Sequence, residues 1–222
     1  MTMKSIFDII GPVMIGPSSS HTAGAVRIAR AAKAVLGEKI IRAEITLYGS
    51  FAKTGRGHGT DRALAGGLLG MDTDDPRIKD ALTIASHDGL KILFNYNYSE
   101  NIHPNTVDFN ITSTSGRTVY VEGCSTGGGN IIISRINQFE VNIDGRYPAL
   151  LVEHADKPGV LGRAATLLGQ NAINIAQIRM AREQKGINKL AVIETDEPCP
   201  EEIRQRIIDM PHIIEAVNIS LV

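Results

Sequence analysis

Pro148-Ala-Leu-Leu-Val-Glu-His-Ala155, followed by Pro158-Gly-Val-Leu-Gly-Arg-Ala-Ala-Thr-Leu-Leu-Gly-Gln170, changes its structural period once. The first segment is a short apolar run closed by Asp156 and Pro158, which reads as a strand. The second carries Val160, Leu161, Ala164, Leu167 and Leu168 on one face, the spacing of a helix. Further along, Ile173–Arg182 and Asn188–Thr195 read as strands joined through Lys185-Gly186. Pro200–Met210 is a helix with Ile203, Ile207 and Ile208 inward, and His212–Val222 a last strand. The order βαββαβ predicts a ferredoxin-like unit over residues 147–222.

Toward the N-terminus, Asp144-Gly145-Arg146 is the one plausible boundary, so residues 1–146 form the other domain. Its second half has strand character: Leu90–Tyr96, Val107–Thr112, Thr118–Glu122, Asn130–Ile136 and Phe139–Ile143, with turns at Ser115-Gly116 and Thr126–Gly129. In the last of these strands Phe139, Val141 and Ile143 alternate with Glu140, Asn142 and Asp144, which leaves one face wet. Its first half predicts a helix from Ser20 to Leu36 stopped by Gly37, a strand Ile40–Tyr48, a Gly-rich loop Gly49–Gly59 and a helix from Asp61 to Met71. Asp75 and Pro76 then cap a further helix that ends at Gly89. The whole is an α+β chain whose N-terminal sheet is mainly antiparallel and meander-like.

With 222 residues, 43% hydrophobic and 21% charged, the chain has apolar material for two modest cores. A net charge of −1 gives no basic field for nucleic acid or an anionic membrane. The absence of Trp leaves little for base stacking. No apolar run approaches the ~20 residues of a membrane span. The first helix-like stretch carries Asp8 and is broken by Gly11 and Pro12, so it is no signal-peptide h-region, and a cytoplasmic protein is expected. Cys124 and Cys199 form neither a CxxC nor a disulfide framework and read as buried or incidental thiols. The six histidines show no HxxxH or HExxH pairing, so no metal is expected on this chain.

Chemistry concentrates in Gly16-Pro-Ser-Ser-Ser-His-Thr-Ala-Gly24. A helix start carries free N–H groups and partial positive charge, and so favours an anion such as a carboxylate. Ser18, Ser19, Ser20 and Thr22 add hydroxyl donors, and His21 adds a group titrating near neutrality. The same residues could include a simple cap and turn, but the ensemble with His21 points to binding and proton chemistry. In Gly49–Asp61, Lys53, Gly55, Arg56, Gly57, His58 and Gly59 either cradle an anion on backbone amides or form a solvated connection. That segment is no P-loop, and it lacks the third glycine of a dinucleotide fingerprint. His103 is either a site residue or an exposed turn histidine.

Ile15–Gly24, Gly49–Asp61 and Ser125-Thr-Gly-Gly-Gly-Asn130 together resemble the beta chain of the bacterial iron–sulfur L-serine dehydratases. His154-Ala-Asp-Lys-Pro-Gly-Val-Leu161 with Ala172-Ile-Asn-Ile-Ala176 resembles an ACT domain. The resemblance implies a small-molecule-binding α+β domain, similar to one in some D-3-phosphoglycerate dehydrogenases, followed by the ACT domain. It also implies deamination of L-serine to pyruvate and ammonia with a [4Fe-4S] cluster on an alpha subunit, this chain being inactive alone. Two cysteines agree with that division, since a cluster takes about four. On this reading His21 is the base or orients the carboxylate, and Ser18, Ser19, Ser20 and Thr22 position the substrate. His154, Asp156, Gly159 and Asn174 match positions that hold an amino acid in some ACT domains, although Asp156 stands where those domains tend to carry Asn. The ACT domain either binds an effector or serves only self-association. A non-catalytic amino-acid sensor is the competing reading. A dehydrogenase fragment is weakened by the missing nucleotide fingerprint.

Overall fold

A computed structural model describes residues 13–99, 101–182 and 188–220. Asp8, Gly11, Pro12, the Lys185-Gly186 connection and Val222 lie outside them. The chain divides into two compact units, residues 1–134 and 135–222.

In the first unit a π-helical turn, Ser19–Gly24, runs directly into α1 (Ala25–Leu36), which Gly37 ends in the left-handed conformation. β1 (Ile40–Tyr48) follows, then α2 (Gly49–His58), α3 (Thr60–Leu69), a 3-10 turn Pro76–Asp80 and α4 (Ala81–His87). β2 (Lys91–Asn97), β3 (Thr106–Ser113), β4 (Thr118–Gly127) and β5 (Asn130–Ile136) complete the sheet. Its order is β2-β1-β3-β4-β5. β5 turns through Asn137 and Gln138 into β6 (Phe139–Ile143).

One sheet face is apolar because alternate residues point the same way. Ala43, Ile45 and Leu47 of β1, Val107, Phe109 and Ile111 of β3, Val119 and Val121 of β4 and Ile131 and Ile133 of β5 are all buried. Helix α1 is buried nearly all round, from Ala25 through Leu36. Its Arg30 and Lys33 do not make a solvated face: Arg30 pairs with Asp72, and Lys33 Nζ donates to the Leu69 carbonyl at 3.0 Å. Both anchor α1 to the end of α3. Gly67 permits this packing, since a Cβ there would lie 2.4 Å from the Val26 carbonyl oxygen.

Two expectations are corrected here. The Gly-rich segment Gly49–Gly59 is a helix, not a loop. Its glycines disfavour helix by up to about 1 kcal/mol each, but Phe51, Ala52 and Gly55 are buried on one side, and that packing prevails. The sheet is also not a simple meander. β2 adds parallel to β1, outside β3, because α2, α3 and α4 form the crossover that a parallel pair requires. The remaining turn at Thr126–Gly129 is shorter than expected, with β4 continuing to Gly127.

The second unit contains β7 (Ala149–Ala155), α5 (Val160–Gln170), β8 (Ile175–Arg182), β9 (Asn188–Thr195), α6 (Glu201–Ile208) and β10 (Ile213–Ile219). The order β10-β7-β9-β8, antiparallel throughout, is the ferredoxin-like topology expected. Leu150, Val152, Ala191, Ile193 and Ala216 of the sheet pack against Ala164, Leu167, Leu168, Ile203 and Ile207 of the helices.

Candidate active site

The Ser-rich run begins a helix, as its composition implied, but that helix opens as a π turn. Ser18 is extended, and its Oγ accepts from the His21 backbone N–H at 3.2 Å. Such wide turns recur at functional sites; here the turn buries His21, Thr22, Ala23 and Gly24 while Ser18, Ser19 and Ser20 stay half-buried. Gly24 is required by a close approach: a Cβ on it would stand 2.3 Å from Ser125 Oγ. Arg27 donates to the Gly129 carbonyl at 2.9 Å. The Ser125–Asn130 segment is thereby pinned against the turn.

Helix α2 supplies the other wall. Ser50, Thr54 and His58 are spaced four apart and share one face. His21 Nε2 lies 3.2 Å from Ser50 Oγ and 3.1 Å from Thr54 Oγ1, while Nδ1 lies 3.4 Å from Ser18 Oγ. The His21 ring stands edge-on to Phe51, centroids 5.1 Å apart, and 4.8 Å from the His58 ring. Thr54 Oγ1 donates to the Ser50 carbonyl at 2.9 Å, so toward His21 it can only accept. That assigns the proton of a neutral His21 to Nε2 and leaves the Nδ1 lone pair toward Ser18. Burial and the neighbouring His58 lower the His21 pKa, a hydrogen bond to the Ser50 backbone offsetting part of this. His58 is held differently: its Nδ1 is buried with no hydrogen-bond partner.

The structure therefore brings Ser18, His21 and His58 together. The residues missed by sequence reasoning are Ser50 and Thr54. Their signal was the four-residue spacing with His58, legible only once the segment is known to be helical. Lys53 is exposed, and Arg56 lies over the Tyr96 ring at 5.2 Å with its Nε donating to the Tyr96 hydroxyl at 3.2 Å. The α2 amides serve the helix, and those of Ser50 and Phe51 donate to the Pro104 carbonyl at 2.6 and 3.1 Å. No amide cradle for an anion forms there. His103 is exposed, its Nδ1 accepting from Asn105 N–H at 3.3 Å, the role of a turn residue.

In the second unit two of the four expected ligand positions, Asp156 and Asn174, are paired within the fold, while His154 Nε2 is buried without a hydrogen-bond partner. Asp156 pairs with Lys189, which lowers its pKa, and Asn174 donates to Asp196 at 2.6 Å. His154 is buried, donating from Nδ1 to the Ala155 carbonyl at 2.8 Å. Gly159, left-handed, starts α5.

Among the described residues no group of three or more His, Cys, Asp or Glu is arranged for a metal. The two thiols do not fit a [4Fe-4S] cluster either: Cys124 sits in one unit and Cys199 in the other, and burial pushes the pKa of each up, against the thiolate a cluster needs. Among the described residues no helix is long and apolar enough to cross a membrane.

Fold and site together define a two-unit α+β protein with a hydroxyl-lined histidine pair in the first unit and an ACT domain in the second. Residues 5–87 match the serine dehydratase beta chain family, and residues 149–212 match the ACT domain family. The chain is 44% identical to a probable L-serine dehydratase beta chain of Bacillus subtilis, covering 99% of this chain and 100% of that one. It is 37% identical to the L-serine dehydratase beta chain of Peptoniphilus asaccharolyticus over the full length of both. A D-3-phosphoglycerate dehydrogenase of Archaeoglobus fulgidus is 26% identical over 89% of this chain and 37% of its own length. The chain belongs to the L-serine dehydratase beta chain family.

Proposed function

We propose that this chain is the beta subunit of a cytoplasmic L-serine dehydratase, and that the Ser18–Thr22 turn and α2 supply its half of the active site. The observation that carries the reading is the convergence of Ser18, Ser50, Thr54 and His58 on His21. The iron–sulfur cluster that the family implies belongs, on this reading, to an alpha subunit, because the donor set here does not fit it.

The reaction removes the α-proton and β-hydroxyl of L-serine, and the resulting aminoacrylate takes up water to give pyruvate and ammonia. This chain's groups act on the carboxylate and the proton. Ser18, Ser19, Ser20 and Thr22 at a helix start donate to the carboxylate. His21, bonded through both ring nitrogens and kept neutral by burial, orients Ser18 and packs the site. His58, half-buried and without a partner at Nδ1, is the base that receives the α-proton at Nε2.

The test is anaerobic co-expression with a cysteine-rich alpha subunit and assay of pyruvate from L-serine. Turnover should require both chains, and His58→Ala should lower kcat about 10²- to 10⁴-fold. Near-normal kcat in His58→Ala with a loss in His21→Ala would move the base to His21. A firm complex that never turns over serine would leave the amino-acid sensor instead.

A further inference from the structure

The histidine pair depends on where α2 lies, and α2 has little to hold it by itself. It is ten residues long and carries Gly49, Gly55 and Gly57, so neither its length nor its composition makes it a stable helix alone. Its first amides are helix-start donors that need a partner. Tyr48, before it, gives no side-chain cap; its hydroxyl donates to Asp108 at 2.7 Å. The Pro104 carbonyl fills that role, accepting from Ser50 N–H at 2.6 Å and from Phe51 N–H at 3.1 Å. Gly49, at a φ of 50°, lets the two segments approach, since a Cβ there would stand 2.7 Å from Pro104 Cα. The next carbonyl, that of Asn105, accepts from Ser125 N–H at 3.0 Å. Ser125 is fully buried and packs on Gly24 of the π turn. Two adjacent carbonyls thus hold both parts of the site: α2 with Ser50 and Thr54, and, through Ser125, the turn that carries His21.

The turn that presents these carbonyls is closed at His103. The His103 carbonyl accepts from Thr106 N–H at 3.1 Å and from Thr106 Oγ1 at 2.7 Å, and the His103 Nδ1 accepts from Asn105 N–H at 3.3 Å. A side-chain acceptor bonded to the N–H two residues on is the geometry of an Asx turn, made here by an imidazole. Pro104 fixes the φ between the two residues. We propose, on the reading of His21 and His58 as this chain's half of the active site, that His103 is a positioning residue of that site. By closing the His103–Thr106 turn it aims the Pro104 and Asn105 carbonyls. It thereby sets the distances, 3.2 and 3.1 Å, at which Ser50 and Thr54 meet His21 Nε2. The His103 ring itself is exposed, and its effect passes through the turn and α2.

Three variants of the full chain test this. His103→Ala removes the acceptor. His103→Asn supplies a side-chain oxygen that can accept from the same N–H but cannot act as a base. Gly49→Ala presses on Pro104 from the helix side. Circular dichroism verifies the fold of each. The first readout is the ring-nitrogen NMR spectrum of His21, assigned by its loss in His21→Asn. Wild type should show a neutral ring with its proton on Nε2. His103→Ala and Gly49→Ala should move these signals toward the average of the two tautomers, and His103→Asn should return them to the wild-type position. The second readout is turnover with the alpha subunit. There His103→Ala should lower kcat about 10- to 10²-fold with KM little changed, and His103→Asn should restore most of the loss. Wild-type His21 signals in His103→Ala would overturn the proposal. So would a folded His103→Asn that stays as slow as His103→Ala, because the imidazole would then act directly. His21 signals that respond as expected, in a chain whose pair with the alpha subunit never turns over serine, would uphold the positioning role and remove the lyase reading instead.

Discussion

Among the described residues His21 is surrounded by hydroxyls and an imidazole, with no carboxylate within hydrogen-bond reach, and that decides how acid acts on it. Burial and His58 set its folded pKa below the unfolded value of about 6.5. The unfolded chain therefore binds the proton more readily. The contribution is fully present above about pH 6.5 and is lost as pH falls through that value toward the folded pKa. Urea midpoints between pH 5 and 8 should fall on the acid side, and His21→Asn should flatten that fall. An equally acid-sensitive midpoint in the variant would refute the assignment. His21 itself was legible from sequence, since a histidine among hydroxyls at a helix start has few bland explanations. Ser50 and Thr54 were not, because a hydroxyl residue in a segment taken for a loop has no face.

Helix α2 shows why element boundaries misled. Four glycines across Gly49–Gly59 argue for a loop, yet the side chains between them bury Phe51 and Ala52, and tertiary packing decides. β1 and β5 coincide with their expected spans: β1 alternates Ala43, Ile45 and Leu47 with Arg42, Glu44 and Thr46, and β5 carries Ile131, Ile132 and Ile133 in a row, both patterns of a strand. The parallel pairing of β2 was not legible, since strand order depends on where α2–α4 cross, which no local pattern encodes. The glycines of these helices also separate into two kinds. A Cβ on Gly57 meets nothing within 4 Å, so Gly57→Ala should stabilise the chain by about 0.5–1 kcal/mol through helix propensity. On Gly67 it would meet the Val26 carbonyl oxygen at 2.4 Å and Ala29 Cβ at 2.6 Å, so Gly67→Ala should push α3 from α1 and cost about 1–3 kcal/mol. Thermal melts of the two variants should shift in opposite directions; shifts of the same sign would contradict the packing described.

At the scale of the molecule, the second unit leaves β8 at the edge of its sheet. An open edge invites pairing unless something blunts it. Here nearly the whole strand is exposed, and Ile178 and Met180, two residues apart on one face, are 37% and 39% exposed. They lie opposite Ile193 and Ala191 of β9 and continue that apolar layer toward the sheet edge. Two of the expected ligand positions of this unit are paired internally, Asp156 with Lys189 and Asn174 with Asp196. A second copy presenting its own β8 would extend the sheet and cover that stripe on both sides. The full chain should therefore run as a dimer in light scattering coupled to size exclusion, at micromolar concentration. Ile178→Lys with Met180→Lys places like charges across the pair and should yield a folded monomer. A monomeric wild type, or a dimer that survives both lysines, would assign self-association to another surface.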